Sequence, residues 1–225
     1  MDRTRTQAGV EEEVRVSAGP ATLEGNLAVP PGARGVVLFA HGSGSSRHSP
    51  RNRQVASVLQ EAGLATLLLD LLSQEEERED EVHGRFRFDI RLLSRRLVAA
   101  KHWALENAGT EATPIGYFGA STGASAALLA AADDPDHVVA IVSRGGRPDL
   151  ALDRLASVAA PTLLLVGELD PIVIKYNEEA FRELAVEKEL RIVKGASHLF
   201  EEPGALEEVA AEAREWFLRY MNPVA

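Results

Sequence analysis

The sequence is poor in several residue types, and each shortage excludes a class of function. It contains no cysteine, which excludes disulfide bonds, thiolate zinc sites, iron–sulfur ligation and a cysteine nucleophile, and which fits a reducing compartment. Aromatic residues make up 5% of the chain, too few for a platform on which bases or sugars stack. The longest apolar runs, such as residues 124–132, are far shorter than the ~20 residues of a membrane-spanning helix.

Basic residues are also in the minority. The 24 lysines and arginines against 34 aspartates and glutamates leave a net charge of −10, which repels nucleic acid and anionic membranes, so we expect neither as a partner. The N-terminal segment has basic residues but no apolar stretch behind them, so we predict no signal peptide and a soluble, cytoplasmic protein. The phosphate-loop, dinucleotide and zinc-protease motifs are missing, and we therefore expect no cofactor and no metal.

The sequence does contain a regular alternation of short apolar runs and helical patterns. Such runs are typical of strands buried on both faces of a parallel sheet, and the alternation predicts helices on both faces. We therefore predict one α/β domain over residues 1–225, with a mostly parallel eight-stranded sheet, little or no lid, and disorder at residues 1–10. The predicted strands are Glu12–Ser17, Ala21–Val29, Gly35–Ala40, Ala65–Asp70, Ile115–Gly119, Val138–Ser143, Thr162–Gly167 and Leu190–Val193.

The pentapeptide Gly119-Ala120-Ser121-Thr122-Gly123 carries the clearest chemical signal. An apolar strand leads into it and an alanine-rich helix leads out, which predicts a sharp turn that presents the Ser121 hydroxyl above the sheet. The same turn places the Thr122 N–H at the positive end of a helix, where it can stabilise an oxyanion. We predict Ser121 as a nucleophile and Thr122 as an oxyanion donor, with a glycine-rich turn of no catalytic role as the alternative.

A serine nucleophile needs a histidine to take its proton. In folds with this turn the acid and the histidine follow the serine in sequence, and His137 and His198 are the histidines that do so. His137 precedes a predicted strand and therefore lies at the wrong edge of the sheet, whereas His198 follows the last predicted strand. We predict His198 as the base, against the alternative of a surface loop histidine.

The histidine in turn needs a carboxylate that fixes its tautomer. Asp170 ends a predicted strand just before Pro171, and we predict Asp170 in this role. Glu168 and Asp149 are its rivals, and an aspartate before a proline is by itself more often a simple turn former.

The oxyanion needs a second donor, which we expect from the loop after the third strand. This oxyanion loop, residues 41–46, reads His-Gly-Ser-Gly-Ser-Ser, and its small residues allow a close approach to the nucleophile. We predict the Ser43 N–H as the second donor. His41 is expected to brace the loop through hydrogen bonds rather than to transfer protons.

These motifs, in this order, resemble the α/β-hydrolase superfamily and within it the small serine hydrolases that are similar to dienelactone hydrolase. The segments HGSGSSRHSPRN, RFDIRLL and SRGGRPDL are similar to that subgroup as well, so the resemblance covers about Val36 to Tyr220. It implies an α/β-hydrolase fold and a Ser121–His198–Asp170 triad. Dienelactone hydrolases proper use a cysteine nucleophile, which argues against dienelactone as the substrate. Some relatives are fused to a phosphoribosyltransferase domain, but nothing in this sequence resembles the acidic phosphate-binding loop of that domain.

Arginines follow two of the loops at the predicted site. Arg144 and Arg147 follow the sixth strand, and Arg47, Arg51 and Arg53 follow the oxyanion loop. Arg144 and Arg147 are candidate binding residues for an anionic substrate. The structural alternative pairs Arg147 with Asp149 and the other arginines with the acidic segment Glu75–Glu81, which we expect to be a solvated loop or helix start.

The sequence as a whole predicts a cofactor-free serine hydrolase that cleaves small carboxylic esters or lactones through an acyl-enzyme. The alternatives are a peptidase or acyltransferase with the same triad, and a non-catalytic module that binds a small ligand. The sequence does not determine the oligomeric state, and a homodimer and a monomer remain alternatives.

Overall fold

The computed structural model describes residues 11–107 and 114–221. Its eight strands are β1 (Glu11–Ala18), β2 (Ala21–Ala28), β3 (Val36–Ala40), β4 (Ala65–Leu69), β5 (Ile115–Ala120), β6 (Val138–Arg144), β7 (Thr162–Gly167) and β8 (Lys188–Val193). Its helices are α1 (Pro50–Glu61), α2 (Gln74–His83), α3 (Ile90–Asn107), α4 (Thr122–Asp133), α5 (Pro171–Glu183) and α6 (Ala205–Tyr220), with a 3-10 helical segment at Pro148–Ser157. The disorder predicted for residues 1–10 lies outside the described residues.

The strands form one sheet in the order β1-β2-β4-β3-β5-β6-β7-β8. From β4 to β8 every neighbouring pair is parallel, and β2 joins β1 on one side and β4 on the other in antiparallel register. The central strands are buried along their whole length, which explains why they read as continuous apolar runs. The predicted fold, a mostly parallel eight-stranded sheet in a single α/β domain, is confirmed.

Helices cover both faces of this sheet, as predicted. On one face α3, α4, α5 and the 3-10 segment pack together, and on the other α1 packs against α6. Alternate residues of β5 point to the two faces, because Tyr117 belongs to the core under α3 and α4 whereas Phe118 belongs to the core under α1 and α6. Two separate apolar cores therefore hold β5 in the middle of the molecule.

The acidic segment Glu75–Glu81 forms the start of α2, which is the second of the two conformations expected for it, because Ser73 and Glu76 form a reciprocal capping box at its N-terminus. Residues 84–89 connect α2 to α3, which begins at Ile90. Among the described residues, no helix is both long and apolar enough to cross a membrane.

Candidate active site

Ser121 occupies the turn between β5 and α4. Its backbone lies at φ 51° and ψ −120°, a conformation that costs free energy for any residue with a side chain. The glycines on either side are required sterically, since a Cβ on Gly119 would lie 2.4 Å from Ala124 Cα and one on Gly123 would lie 2.1 Å from the Ala40 carbonyl oxygen. The turn that the pentapeptide predicts is therefore held by close backbone packing.

Neighbouring backbone hydrogen bonds fix this strained turn. The Ser121 N–H donates to the Arg144 carbonyl at 3.1 Å, and the Arg147 N–H donates to the Ser121 carbonyl at 3.1 Å. Both partners come from the end of β6 and the loop that follows it, so the nucleophile candidate is fastened to the adjacent parallel strand. Such surrounding contacts are what allow a sparsely populated backbone conformation to persist.

Asp170 and His198 lie in direct contact. His198 Nδ1 is 2.6 Å from Asp170 Oδ2, a short distance of the kind found in charge-assisted hydrogen bonds. Asp170 is also the N-cap of α5, where its Oδ1 accepts the Val173 N–H at 3.4 Å. The helix cap and the histidine contact together restrain both carboxylate oxygens.

The two rival carboxylates are engaged elsewhere. Glu168 Oε2 accepts the Gly195 N–H at 2.8 Å and thereby supports the loop that carries the histidine. Asp149 accepts two hydrogen bonds from Arg147, at 2.9 and 2.8 Å. Of the three candidate acids, the structure therefore brings Asp170 to His198.

The His198 ring lies beside the end of β6, at the same edge of the sheet as Ser121. A Cβ placed on Gly145 would lie 3.6 Å from His198 Cε1 and 3.2 Å from the His198 carbonyl oxygen. Gly145 directly follows Arg144, whose carbonyl accepts the Ser121 N–H. His137, by contrast, lies before β6, and its carbonyl accepts the N–H of Ile115 at the opposite end of β5.

The oxyanion loop closes over the nucleophile turn from the β3 side. A Cβ on Gly42 would lie only 3.0 Å from Ser121 Cβ, so the backbone of this loop touches the serine. His41 Nδ1 is 2.9 Å from the Gly42 carbonyl, and the Leu71 N–H donates to His41 Nε2 at 3.3 Å. Because a carbonyl only accepts, the proton is on Nδ1, and His41 braces the loop in the way that the sequence suggested.

The two predicted oxyanion donors lie next to each other. The Ser43 N–H donates to the Thr122 side-chain Oγ1 at 2.9 Å. This contact joins the loop after β3 to the first residue of α4, across 79 positions of sequence. The Ser43 N–H therefore points towards Thr122, but it already donates a hydrogen bond to the Thr122 side-chain hydroxyl.

The two candidate substrate-binding arginines differ in their surroundings. Arg147 forms a two-point contact with Asp149 and lies over the Tyr176 ring at 4.8 Å from its centroid. Arg144 is 8% exposed. Its Nη1 is buried without a hydrogen-bond partner, and no carboxylate of the described residues pairs with it. Burial and the nearby Arg51 charge lower the pKa of Arg144 to about 10.

The arginines after the oxyanion loop do not pair with the acidic segment, contrary to the structural alternative proposed for them. Arg47 pairs with Glu24 and Asp70, Arg51 with Glu201, and Arg53 with Glu11. Two acids of the acidic segment pair with other arginines: Arg87 binds Asp80, and Arg96 binds Glu76. The pairing is decided by the sheet order, which a linear sequence does not display.

A cavity of about 180 Å³ opens beside the oxyanion loop and Thr122. Its opposite wall comes from α2 and the segment after it, and includes Glu77, Glu81 and the Asp80–Arg87 pair. Because α2 follows β4, the acidic segment lies at the carboxyl edge of the parallel strands, and there it forms part of the pocket wall. Within the described ranges, no group of three or more His, Asp or Glu side chains could hold a metal ion.

Comparison with known proteins gives one family match and several similar solved structures. Residues 23–223 match the model of the dienelactone hydrolase family. A crystal structure of a dienelactone hydrolase from Anabaena variabilis is 59% identical, with a TM-score of 0.93, over 95% of this chain and 99% of that one. Est1E from Butyrivibrio proteoclasticus is 17% identical with a TM-score of 0.78 over 93% of this chain and 98% of that one, a likeness of fold.

Two curated relatives differ in their names. A Mycobacterium tuberculosis protein named "Putative phosphoribosyl transferase" is 55% identical over 211 residues, which cover 94% of this chain but 47% of that protein. The chain thus spans about half the length of this relative. A protein of Bradyrhizobium named as a probable 2-oxo-3-(5-oxofuran-2-ylidene)propanoate lactonase is 30% identical over 168 residues, covering 67% of each.

Proposed function

The chain belongs to the dienelactone hydrolase family, and from this premise we propose that it is a serine hydrolase that cleaves small carboxylic esters or lactones. The observation that carries the proposal is the 2.6 Å contact between His198 and Asp170, beside a serine on a strained strand-to-helix turn. A binding module places no demand on such a constellation, whereas acyl transfer requires each part of it.

The proposed reaction has two halves. Ser121 Oγ attacks the carbonyl carbon while His198 Nε2 takes the hydroxyl proton, and the resulting oxyanion is stabilised at the Thr122 N–H and the oxyanion loop. The bond between the carbonyl carbon and the alcohol oxygen then breaks, His198 gives the proton to that oxygen, and an acyl-enzyme remains. In the second half His198 takes a proton from a water molecule while the water oxygen bonds to the acyl carbon. The Ser121 Oγ–acyl bond then breaks, the carboxylic acid leaves, and His198 returns the proton to Ser121 Oγ. Asp170 accepts from Nδ1–H throughout and stabilises the imidazolium.

The name of the mycobacterial relative supports no transferase proposal for this chain. That name belongs to a protein about twice as long as the matched region, which is 47% of it. The Bradyrhizobium relative is named as a lactonase, and a lactone is a cyclic ester. The triad proposed here attacks an ester carbonyl, so the name of that relative agrees with the proposed chemistry. Hydrolysis of esters or lactones is therefore the function that the site supports best, ahead of peptide hydrolysis or acyl transfer to another acceptor.

Labelling with a fluorophosphonate tests the proposal directly. The folded protein is incubated with the probe, digested, and analysed by mass spectrometry, with Ser121→Ala as the matched control. We expect one adduct on the peptide that holds Ser121 and none on the variant. A folded wild-type protein that forms no adduct and hydrolyses no 4-nitrophenyl ester would favour a non-catalytic binding module instead.

Among substrates, we propose a preference for an anionic acyl group that Arg144 binds. Its guanidinium is buried, lies at the same sheet edge as Ser121, and pairs with no carboxylate of the described residues, so a substrate carboxylate would complete it. The cavity beside α2 is the less suitable place for an anion, because the exposed Glu77 and Glu81 line it. A charge-assisted hydrogen bond contributes roughly 1.5–3 kcal/mol, or about 10- to 150-fold in kcat/KM.

A matched pair of esters, one neutral and one with an acyl-side carboxylate, tests this preference. We expect Arg144→Gln to lose activity selectively on the anionic ester, with a loss that changes little with salt because the guanidinium is buried. Arg147→Gln is the control with the same chemical change, and because its guanidinium already binds Asp149 we expect it to lower stability without changing selectivity. Equal losses on both esters for Arg144→Gln would show that this arginine only supports the loop.

A further inference from the structure

The hydroxyl of Thr122 lies at the centre of the oxyanion site and has one of its two hydrogen-bonding roles unused. Thr122 is 4% exposed, and its Oγ1 accepts the Ser43 N–H at 2.9 Å. A hydroxyl can accept and donate at the same time. Among the described residues no group accepts the hydrogen of this hydroxyl, although Thr122 borders the cavity beside the oxyanion loop.

This contact changes what the Ser43 N–H can do. An oxyanion donor should lie about 2.7–3.1 Å from the position of the oxyanion, and Thr122 Oγ1 already occupies a position at that distance from Ser43 N. A substrate oxygen must either displace the threonine hydroxyl or bind to it. Displacement would break the 2.9 Å hydrogen bond and require a rotation about χ1, which is restricted for a β-branched side chain.

We propose that the Thr122 hydroxyl is itself an oxyanion donor, and that the Ser43 N–H acts through it. The Ser43 N–H donates to Oγ1, the hydroxyl hydrogen donates to the substrate oxyanion, and the Thr122 backbone N–H donates to the same oxyanion. Hydrogen bonds in series polarise each other, so the Ser43 donation strengthens the hydroxyl as a donor. One residue, directly after the nucleophile, thereby supplies two donors to the oxyanion.

The packing around Thr122 favours this arrangement. The start of α4 packs directly on β3, since a Cβ added to Gly123 would lie 2.1 Å from the Ala40 carbonyl oxygen. On the other side, His41 Nδ1–H donates a hydrogen bond to the Gly42 carbonyl of the oxyanion loop. The helix start and the loop are thus both fixed, and the hydroxyl between them needs no movement when substrate binds. A donor that is in place before the reaction costs no reorganisation in the transition state.

The inference rests on the proposed hydrolase function, and substitution of Thr122 tests it. Thr122→Val keeps the shape and the backbone N–H but removes the hydroxyl, and Thr122→Ser keeps the hydroxyl. We measure kcat and KM on a 4-nitrophenyl ester and the rate of Ser121 phosphonylation by a fluorophosphonate. In that second reaction the Ser121 Oγ–P bond forms, fluoride leaves, and His198 takes the proton.

We expect Thr122→Val to lower both kcat and the labelling rate by about 10²- to 10³-fold, the effect of losing one oxyanion donor, with little change in KM. Thr122→Ser should recover at least about tenfold of that loss. Thr66→Val is the matched control, since Thr66 is also buried and its hydroxyl accepts one hydrogen bond, from Gln60. It should lower stability and leave kcat unchanged.

The possible outcomes separate the two proposals. If the wild type is active and Thr122→Val is equally active or faster, Thr122 only occupies the site and the Ser43 N–H binds the oxyanion directly, which overturns the inference alone. If Thr122→Val and Thr66→Val lose kcat in proportion to their loss of stability, the role of the hydroxyl is structural and the inference is again wrong. A wild type that is neither labelled nor active overturns the hydrolase function and, with it, the inference.

Discussion

Substitution of Asp170 by asparagine separates orientation of the histidine from every other role of this side chain. In the native protein the carboxylate accepts a hydrogen bond from His198 Nδ1–H, at 2.6 Å between Nδ1 and Oδ2, so Nε2 carries the lone pair that must face Ser121. An asparagine amide in the same place donates to Nδ1 and stabilises the tautomer with its proton on Nε2. That imidazole cannot take a proton from the serine.

The expected loss is large and concerns catalysis only. Loss of the correct tautomer in such triads lowers kcat by about 10³–10⁴-fold, which corresponds to about 4–5.5 kcal/mol of transition-state stabilisation. The second role of Asp170, as N-cap of α5 through Val173, survives because asparagine caps helices as well as aspartate does. Stability should therefore fall by no more than about 1 kcal/mol, or about 2–4 °C in Tm.

The assay compares Asp170→Asn with Asp149→Asn, which makes the same chemical change in a carboxylate that binds Arg147. Each variant is measured by kcat on a 4-nitrophenyl ester and by thermal unfolding. We expect Asp149→Asn to retain most of its kcat and to lose stability through the broken ion pair. If Asp149→Asn loses more activity than Asp170→Asn, the acid of the triad follows β6 rather than β7, and the assignment from the His198 contact is wrong.

Three further outcomes are expected. Ser121→Ala and His198→Ala should each cost about 10³-fold or more in kcat, and the double variant little more, since both act in one step; multiplicative losses would argue against a shared role. Gly42→Ala should lower kcat about 10²-fold in a folded protein, because the new Cβ lies 3.0 Å from Ser121 Cβ and displaces the loop; unchanged kcat would show that the loop position is unimportant. Arg144→Met should raise Tm, because burial without an anionic partner disfavours the charged guanidinium and lowers the pKa of Arg144 to about 10. Arg147→Met should lower Tm, because it removes the ion pair with Asp149. A lower Tm in both variants would mean that the buried Arg144 cation is stabilised by its surroundings.

Much of this architecture could be predicted from the sequence because the relevant signals are local. Apolar runs of five or six residues predicted the buried strands, and small residues around Ser121 predicted the turn that the structure places between β5 and α4. The position of His198 after the last strand and of Asp170 before Pro171 could be inferred in the same way. Each of these inferences depends on residues within a few positions of one another.

Other features were beyond local inference. The sequence favoured Asp170 but left Glu168 and Asp149 as rivals, and only the folded loops bring Asp170 to His198 while engaging Glu168 with Gly195 and Asp149 with Arg147. The acidic segment was expected to be a solvated loop or a helix start. Its capping box makes it the start of a helix, and only the fold shows that this helix forms part of the cavity wall. The composition of such a segment predicts that its side chains are hydrated, but it does not predict which part of the molecule they lie against.

The sequence by itself therefore determined the α/β alternation, the strained turn at Ser121 and the edge of the sheet where the polar groups collect, since strand period and turn chemistry are properties of short segments. The tertiary structure alone decided which of those groups touch. Ser43 reaches Thr122 because β3 and β5 are neighbours in the sheet. Arg144 pairs with no carboxylate of the described residues, because its side chain is buried beyond the reach of those that bind the other arginines. Contacts of this kind join residues far apart in sequence, and their existence depends on the strand order and packing of the whole domain.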